Sequence, residues 1–290
     1  MLLALAVFVA SFYWHGLGIT IGYHRLLAHR SFRCPKIVEY FWVIGGYLAM
    51  QASPAWWVTV HRAHHKHADQ ELDPHSPKIG HFHSYLGWLF RQNFDVINPD
   101  VLAGDLLKDP VYRFLERGED ALQWTSNILF RVVLFYCFGW KICLINALGA
   151  FCAFQVPLVL NLFCHLPNLG YRSFATSDQS KNVRWVGYLA AGEGWHNNHH
   201  AFPGSARMGF TKSEIDLSWM VISAMRKLGL VDHVNDALRA SKEETAKWHS
   251  QGDIVNLAAY RGRKMIVLKQ NHYAGAQPQL EAQETKSAGV

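Results

Sequence analysis

The sequence has little of what soluble and disulfide-linked domains depend on. Only 17% of its 290 residues are charged, below the roughly 25% that is usual for a soluble domain. Its 5 cysteines include no CxxC pair, which argues against a zinc ribbon or a dithiol redox motif and predicts free, buried thiols. No basic run with interleaved aromatic residues occurs, so we expect no nucleic-acid partner. The net charge of +6 and the 50% of hydrophobic residues fit a protein on an anionic bilayer instead.

The first apolar stretch lacks the marks of a secretory signal. Residues 2–22 are apolar or small and can span a ~30 Å hydrocarbon core, but no cationic start or small-residue cleavage site is present. We interpret His15, inside the stretch, as a hydrogen-bonded residue of the bundle interior. The cations that follow are Arg25, Arg30, Arg33 and Lys36, and they predict that this end faces the cytoplasm. Because the stretch starts directly after Met1, we expect an earlier segment to be missing.

Three further segments complete the predicted organisation. Residues 37–53 are shorter and interrupted by polar residues, so we predict a re-entrant or interfacial segment, which keeps the histidines on either side of it together. The apolar residues beyond 126, interrupted near Gly139, predict two spans at 127–140 and 142–165. The pattern of 214–231 predicts an amphipathic helix. Residues 270–290 are polar and predict a disordered tail, which leaves 1–269 as one domain.

Histidine is what the sequence has in excess, and it is grouped in three boxes. His24 and His29 are five residues apart and would point about 140° apart on a regular α-helix. Either the helix ends between them, or they approach one centre from different angles. The other boxes place imidazoles at i, i+3 and i+4, on one helix face: His61, His64 and His65, then His196, His199 and His200. Three such boxes beside apolar segments predict a metal site at a membrane face.

Other residues complete the predicted site. Asn161 and His165 lie one helical turn apart near the last span's end, so we interpret His165 as a ninth ligand and Asn161 as its helper. Asp69, Glu71 and Asp73 follow the second box and could accept hydrogen bonds from ligating imidazoles. Neutral imidazole suits iron, zinc, copper and nickel. Nine imidazoles are too many for one such ion, so the residues predict two ions and leave their identity open.

The boxes resemble those of a known family. HRLLAH at 24–29, HRAHH at 61–65 and HNNHH at 196–200 are similar to the boxes of membrane fatty acid desaturases. The neighbouring GYHR from residue 22, DPH at 73–75 and GEGWHNNHH from residue 192 resemble the delta-9 branch, particularly its bacterial and cyanobacterial acyl-lipid members. Each box alone is a weak signal, but together they are specific. The resemblance extends over about residues 10–235.

The resemblance implies an all-α fold, an integral membrane helical bundle with a cytosolic helical cap that holds a His-rich di-iron site. The ligands it implies are His24, His29, His61, His64, His65, His165, His196, His199 and His200. It places Asn161 on a metal-bound water, and Asp69, Asp73, His75 and Glu193 around the ligands. The implied enzyme uses O2, two electrons and two iron ions (Fe2+/Fe3+) to introduce a cis delta-9 double bond into a saturated acyl chain, in unsaturated fatty acid biosynthesis. We expect the bacterial inner membrane, with the boxes on the cytoplasmic side.

Several positions depart from the acyl-CoA branch of the family. Thr59 and Val60 stand where animal enzymes have a basic–acidic pair, and Ala52 stands where they have Asn. These departures favour a lipid-linked acyl chain over a CoA-linked one. No haem-binding domain is fused at either end, so we expect a separate electron donor, a ferredoxin or a haem-type carrier. The alternatives are a His-rich di-iron membrane hydroxylase of a lipid or alkane, and a non-catalytic metal-binding membrane protein.

Overall fold

The computed structural model describes residues 1–90 and 97–239, and within them it contains helices but no strand. The α-helices are α1 (Leu2–Leu17), α2 (Lys36–Tyr47), α3 (Pro54–His67), α4 (His81–Tyr85), α5 (Pro99–Leu102), α6 (Pro110–Arg117), α7 (Glu119–Phe163), α8 (Arg184–Leu189), α9 (His196–Ala201) and α10 (Leu217–Lys227). A π-helix, Gly18–Ala28, continues α1, and 3₁₀ turns occupy Gly87–Phe90 and Leu106–Lys108. The predicted all-α class is confirmed. The tail predicted at 270–290 lies outside the described residues.

Among the described residues, two helical stretches are long and apolar enough to cross a bilayer. Leu2–Ala28 has 27 residues and Asp120–Phe163 has 44. A straight helix of the second length would be roughly 66 Å long, about twice the ~30 Å hydrocarbon core. Gly139 breaks it, with φ +83° and ψ 168°. Cys143 Sγ lies 3.4 Å from the carbonyl oxygen of Arg131, so the two arms of α7 fold back on each other as a hairpin.

The helix α2 packs closely against the first span. A Cβ placed on Gly18 would lie 2.3 Å from the backbone nitrogen of Gly46, so only glycine permits this approach. The 12 residues of α2 make a helix about 18 Å long, too short to cross the bilayer. Its opposite face exposes three large apolar side chains at i, i+4 and i+7, namely Ile37, Phe41 and Ile44. The helix therefore lies beside the span and presents an apolar stripe outward.

The interior histidine of the first span is satisfied as predicted. His15 is buried, and its Nδ1 lies 2.8 Å from the carbonyl oxygen of Gly45 on α2. Its Nε2 lies 3.3 Å from Nδ2 of Asn146 on α7. These contacts join three helices through one polar cluster, which is the usual use of a polar residue inside a membrane bundle.

The backbone winding changes where the first histidine box begins. In the π-helix Gly18–Ala28, hydrogen bonds run from residue i to i+5, and the N–H of His29 donates to the carbonyl oxygen of His24 at 3.1 Å. The helix ends between the two histidines, as one of the predicted alternatives requires. Their ring centroids are 4.9 Å apart. The π winding thus brings two residues five apart to one place, which an α-helix would not do.

The helices α3 and α10 each begin at a residue whose side chain accepts a hydrogen bond from the first turn. Ser53 accepts a hydrogen bond from the backbone N–H of Trp56 at 3.0 Å, and Pro54 occupies the first turn of α3. Asp216 caps α10 in the same way through the N–H of Trp219 at 2.9 Å. The predicted amphipathic helix is present as α10, which buries Ile222 and exposes Met220.

Candidate metal centre

The nine predicted ligand histidines come together in two groups. In each group one nitrogen per residue lies within 4.8 Å of the others. Centre one contains His24, His29, His61, His65 and His199, and centre two contains His64, His165, His196 and His200. Each of the three boxes contributes to centre one, and the last two boxes also contribute to centre two. A third, smaller group, His64 with Asp73 and His75, shares His64 with centre two.

In centre two, the Nε2 atoms of two imidazoles point at each other. The Nε2 atoms of His64 and His200 are 3.3 Å apart. Each ring donates its Nδ1 hydrogen to a carboxylate, at 3.0 Å for His64 and 2.8 Å for His200, so neither neutral ring has a hydrogen on Nε2. Two lone pairs at this distance repel unless a proton or a metal ion lies between them. The donor set therefore fits a bound transition-metal ion.

Carboxylates accept hydrogen bonds from the Nδ1 atoms of three histidines, whose Nε2 atoms face the metal centres. These carboxylates occupy positions that the sequence suggests. Asp73 accepts from His64 Nδ1 at 3.0 Å, and Asp69 accepts from His165 Nδ1 at 3.0 Å. Glu193 accepts from His24 Nδ1. Such partners fix the tautomer and orientation of a ligating imidazole and raise its basicity. All three carboxylates are buried, so this contact also gives their charge a partner.

His75 is placed differently from these carboxylates. Its Nδ1 lies 3.7 Å from Asp73 Oδ1, and its ring centroid lies 4.3 Å from that of His64. Burial and the neighbouring His64 lower the pKa of His75 to about 3. His75 is therefore a neutral ring packed on His64, between centre two and the cavity described below.

Sequence reasoning missed two residues of the site. Asp178 accepts from His200 Nδ1 at 2.8 Å but lies in an irregular loop with no periodicity that points to it. Trp57 stacks on His61, with centroids 5.1 Å apart and planes at 16°. Trp57 precedes His61 by one helical turn, so the i, i+4 spacing could have revealed it.

The electrostatics set His64 apart, because the pKa values of most other ligand histidines are lowered, including those of His196 and His200 in centre two. Burial, together with the charge of neighbouring imidazoles, lowers the pKa of His61, His65 and His199 well below the usual range. Burial alone would lower the pKa of His64 too, but Asp73, Asp69 and Asp178 outweigh it and raise that pKa. Burial would raise the pKa of Asp73, yet His64 and His75 hold it well below normal. Centre two is thus set among ionised carboxylates.

The two asparagines inside the third box fix its short helix. Asn197 Oδ1 accepts the backbone N–H groups of Ser173 and Phe174, both at 2.8 Å. Asn198 Nδ2 donates to the carbonyl oxygen of Met208 at 2.9 Å and to Glu214 at 3.1 Å. These bonds connect the six residues of α9 to loops on both sides. The box therefore keeps its geometry although so short a helix has little stability of its own.

A cavity of about 880 Å³ between α3 and α7 reaches centre one at His61, and no ligand histidine of centre two lines it in the described part of the chain. Its walls are largely apolar, and three of its polar wall residues are His61, His75 and Asn161. Asn161 is thereby placed beside the predicted metal site, although no hydrogen bond of its side chain is found in the described part of the chain. Such a volume falls within the ~300–1,000 Å³ of typical small-molecule sites.

Comparison with known proteins identifies the family. Residues 1–208 match the family model described as fatty acid desaturase. The chain is 40% identical over 225 residues to the sn-1 stearoyl-lipid 9-desaturase of Anabaena variabilis, covering 77% of this chain and 80% of that protein. It is also 40% identical over 227 residues to delta-9 acyl-lipid desaturase 1 of Arabidopsis thaliana, covering 76% and 71%. An acyl-CoA 5-desaturase of Anemone leveillei is 40% identical over 225 residues, covering 75% and 67%. The chain belongs to the fatty acid desaturase family.

Proposed function

We propose that this desaturase introduces a cis delta-9 double bond into a saturated acyl chain carried by a membrane lipid, with two iron ions, O2 and a separate electron donor. The observation that carries this proposal is the pair of histidine centres beside an apolar cavity. Relatives named for lipid-linked delta-9 desaturation support the reaction and its position.

The nine histidines would hold the irons, with five rings for one ion and four for the other. When bound, the irons would activate O2, so that two hydrogens leave the acyl chain and O2 is reduced to two waters with two further electrons and two protons. The side chains of the protein would orient the ligand histidines and exclude bulk water from the site. Trp57 fixes the ring of His61 by stacking, and Asp69 fixes His165. Asn161 would hold a metal-bound water beside His165 by hydrogen bonding.

The cavity supplies the site for the acyl chain. Val60, Trp88 and Leu158 are buried together along it, and apolar walls bind a methylene chain and keep bulk water away from it. His61 and Asn161 reach the same space. The chain would therefore pass beside His61 of centre one and beside Asn161, one helical turn before His165 of centre two.

Two buried positions support a lipid carrier over CoA. Thr59 is fully buried and donates its hydroxyl hydrogen to the carbonyl oxygen of Ala55 at 2.8 Å. Val60 is also buried. These positions correspond to the charged pair of animal acyl-CoA enzymes, and here neither can reach a charged group outside the protein.

The histidine boxes lie together, and the cations beside the first box support a membrane arrangement for them. Two apolar helices and the family make this a membrane protein. We place the centres on the cytoplasmic side of the bacterial inner membrane, with α2 re-entrant or interfacial, because Arg30 and its neighbouring cations follow the first span. Reporter fusions after residues 55 and 170 should then report the cytoplasm alike. Reports from opposite sides would show that α2 crosses the membrane.

The direct test of the proposed function is product analysis. A host that expresses the chain with a ferredoxin or a haem-type donor should accumulate a cis delta-9 monoenoic acid, detected by gas chromatography of its membrane lipids. The same host without the chain is the control. A hydroxy fatty acid in place of the alkene would favour the alternative hydroxylase.

A substitution in the cavity tests the acyl-chain site. Leu158→Trp adds a large ring to the cavity wall, where Leu158 is only 2% exposed. The larger side chain should occupy space that the acyl chain needs and lower product at least ~10-fold. Iron content should stay unchanged. Leu148→Trp, on an exposed position of the same helix, is the matched control. Full activity of Leu158→Trp would exclude this cavity as the substrate site.

A further inference from the structure

The two centres differ in the number of carboxylates behind their histidines. In centre two, three of the four rings donate Nδ1–H to a carboxylate: His64 to Asp73, His165 to Asp69 and His200 to Asp178. In centre one, among the described residues, only His24 does so, to Glu193. Three carboxylates therefore act on a group of four imidazoles, and one acts on a group of five.

The one carboxylate of centre one has a buried cation in direct contact, which it shares with a second carboxylate. Arg25, whose side chain is 0% exposed, lies 2.9 Å from Glu193 Oε1 through Nη2. The same guanidinium contacts Asp216 Oδ1 at 2.9 Å and the carbonyl oxygen of Ala206 at 2.7 Å. Since a buried charge is strongly felt by its neighbours, Arg25 offsets part of the negative field that Glu193 would exert on His24.

The carboxylates of centre two have no cation in direct contact among the described residues, and the charge of Lys181 acts on Asp69 and Asp178 only from a greater distance. Within the described residues they form no ion pair with lysine or arginine at 4.0 Å or less. Their remaining bonds come from neutral donors: Asp69 accepts the N–H of Gln179 at 2.6 Å, and Asp178 accepts the N–H of Ser180 at 2.8 Å. Centre two therefore keeps its negative surroundings.

The histidines of centre one are also more exposed to solvent than those of centre two. All four histidines of centre two are buried, whereas His29, His61 and His65 of centre one are partly exposed. His61 lines the proposed acyl-chain cavity, so the exposure that a donor protein could use is that of His29 and His65, both of centre one. The two observations are independent, since one concerns charge and the other concerns access.

We propose that centre two stabilises the ferric state more strongly than centre one, so that the first electron from the donor reduces the iron of centre one. Carboxylates on the distal nitrogens make the imidazoles stronger donors and favour the more positive ion. The histidines of centre one would hold the iron that accepts the first electron of the one-electron donor, and those of centre two would hold the iron that accepts the second, each electron converting one Fe3+ to Fe2+. This inference rests on the proposed function for the identity of the metal and the donor.

The test is an anaerobic reductive titration of the full chain, loaded with iron-57, with dithionite as the reductant and Mössbauer spectra at each addition. The wild type should show two ferric signals, one of which is reduced before the other. Asp178→Asn keeps an acceptor for His200 but removes the charge, so it should alter the later-reduced signal. It should also change the ratio of the two reduction constants at least ~10-fold towards equality.

Glu193→Gln should act in the opposite direction, altering the earlier-reduced signal and separating the two steps further. Asp232→Asn, which removes a carboxylate that is 74% exposed, is the control and should change neither step. If Asp178→Asn loses iron, Asp69→Asn replaces it, because Asp69 acts on His165 in the same centre.

Simultaneous reduction of both irons in the wild type, or an effect of Asp178→Asn on the earlier-reduced signal, would overturn the inference. A chain that binds two irons and forms the alkene, yet gives either result, would refute the inference and leave the proposed function intact. A chain that binds no iron would refute the proposed function itself.

Discussion

His64→Ala is expected to lower product formation more than ~100-fold and to remove the metal of centre two. The outer partner of a metal ligand alone is usually worth ~10–100-fold in metal affinity or activity, and loss of the ligand itself should exceed that. His64 is only 2% exposed and connects Asp73 on one side to His200 on the other. Its removal therefore takes away a ligand and leaves a buried carboxylate without its partner.

The measurement is metal content and alkene yield on the same purified preparation. His67→Ala is the matched control, because His67 lies one turn further along α3, belongs to neither centre and is partly exposed. It should keep both metals and full turnover. Retention of two metals and wild-type turnover by His64→Ala would contradict the assignment of centre two, and so would an enzyme fully active with one zinc.

Helical periodicity explains why so much of this site is visible in the sequence. The i, i+3, i+4 spacing places His61, His64 and His65 along one side of α3 for any regular helix, whatever the tertiary structure. Their directions still differ enough to serve two centres, with His64 in one and its two companions in the other. The set of histidines was predictable, but their division between the centres was not, because it depends on how the three boxes pack.

The local backbone could not be predicted in the same way. Helical repeats assume 3.6 residues per turn, and the π winding of Gly18–Ala28 violates that assumption. The sequence left two geometries open for His24 and His29, and packing decided between them: Gly18 meets the backbone of α2, which fixes the path of the chain into the box.

Contacts between distant loops were the least accessible to sequence reasoning. Asp69 and Asp73 follow the second box directly, so proximity in sequence suggested their role. Asp178 reaches His200 from an irregular loop that is held by Asn197 and by the serine and threonine side chains around it. Nothing periodic marks such a residue, and only the folded loop brings its carboxylate to the ring.

Asn161→Ala is expected to keep most of the iron but to lose turnover ~10–100-fold, the usual effect of a change in an outer partner of the metal. An amide binds iron poorly compared with imidazole but can hold a water by hydrogen bonding. Asn161 lines the cavity with His61 and His75, and His165, one turn further on, belongs to centre two. Substitutions at Asn161 and His165 should therefore lower activity for different reasons.

His165→Ala should lose iron at centre two as well as turnover, more than ~100-fold, because it removes a ligand and leaves Asp69 with an unpaired buried charge. Iron content and alkene yield measured side by side on both variants separate the two roles. Asn161→Asp serves as a further control, since its carboxylate can also hold a water and should restore part of the turnover. Wild-type turnover of Asn161→Ala would show that this side chain does not hold a reacting water. The backbone carbonyl of Asn161, which accepts from Ser84 at 3.2 Å, would then be its whole contribution, a bond between α4 and α7 that the substitution leaves in place.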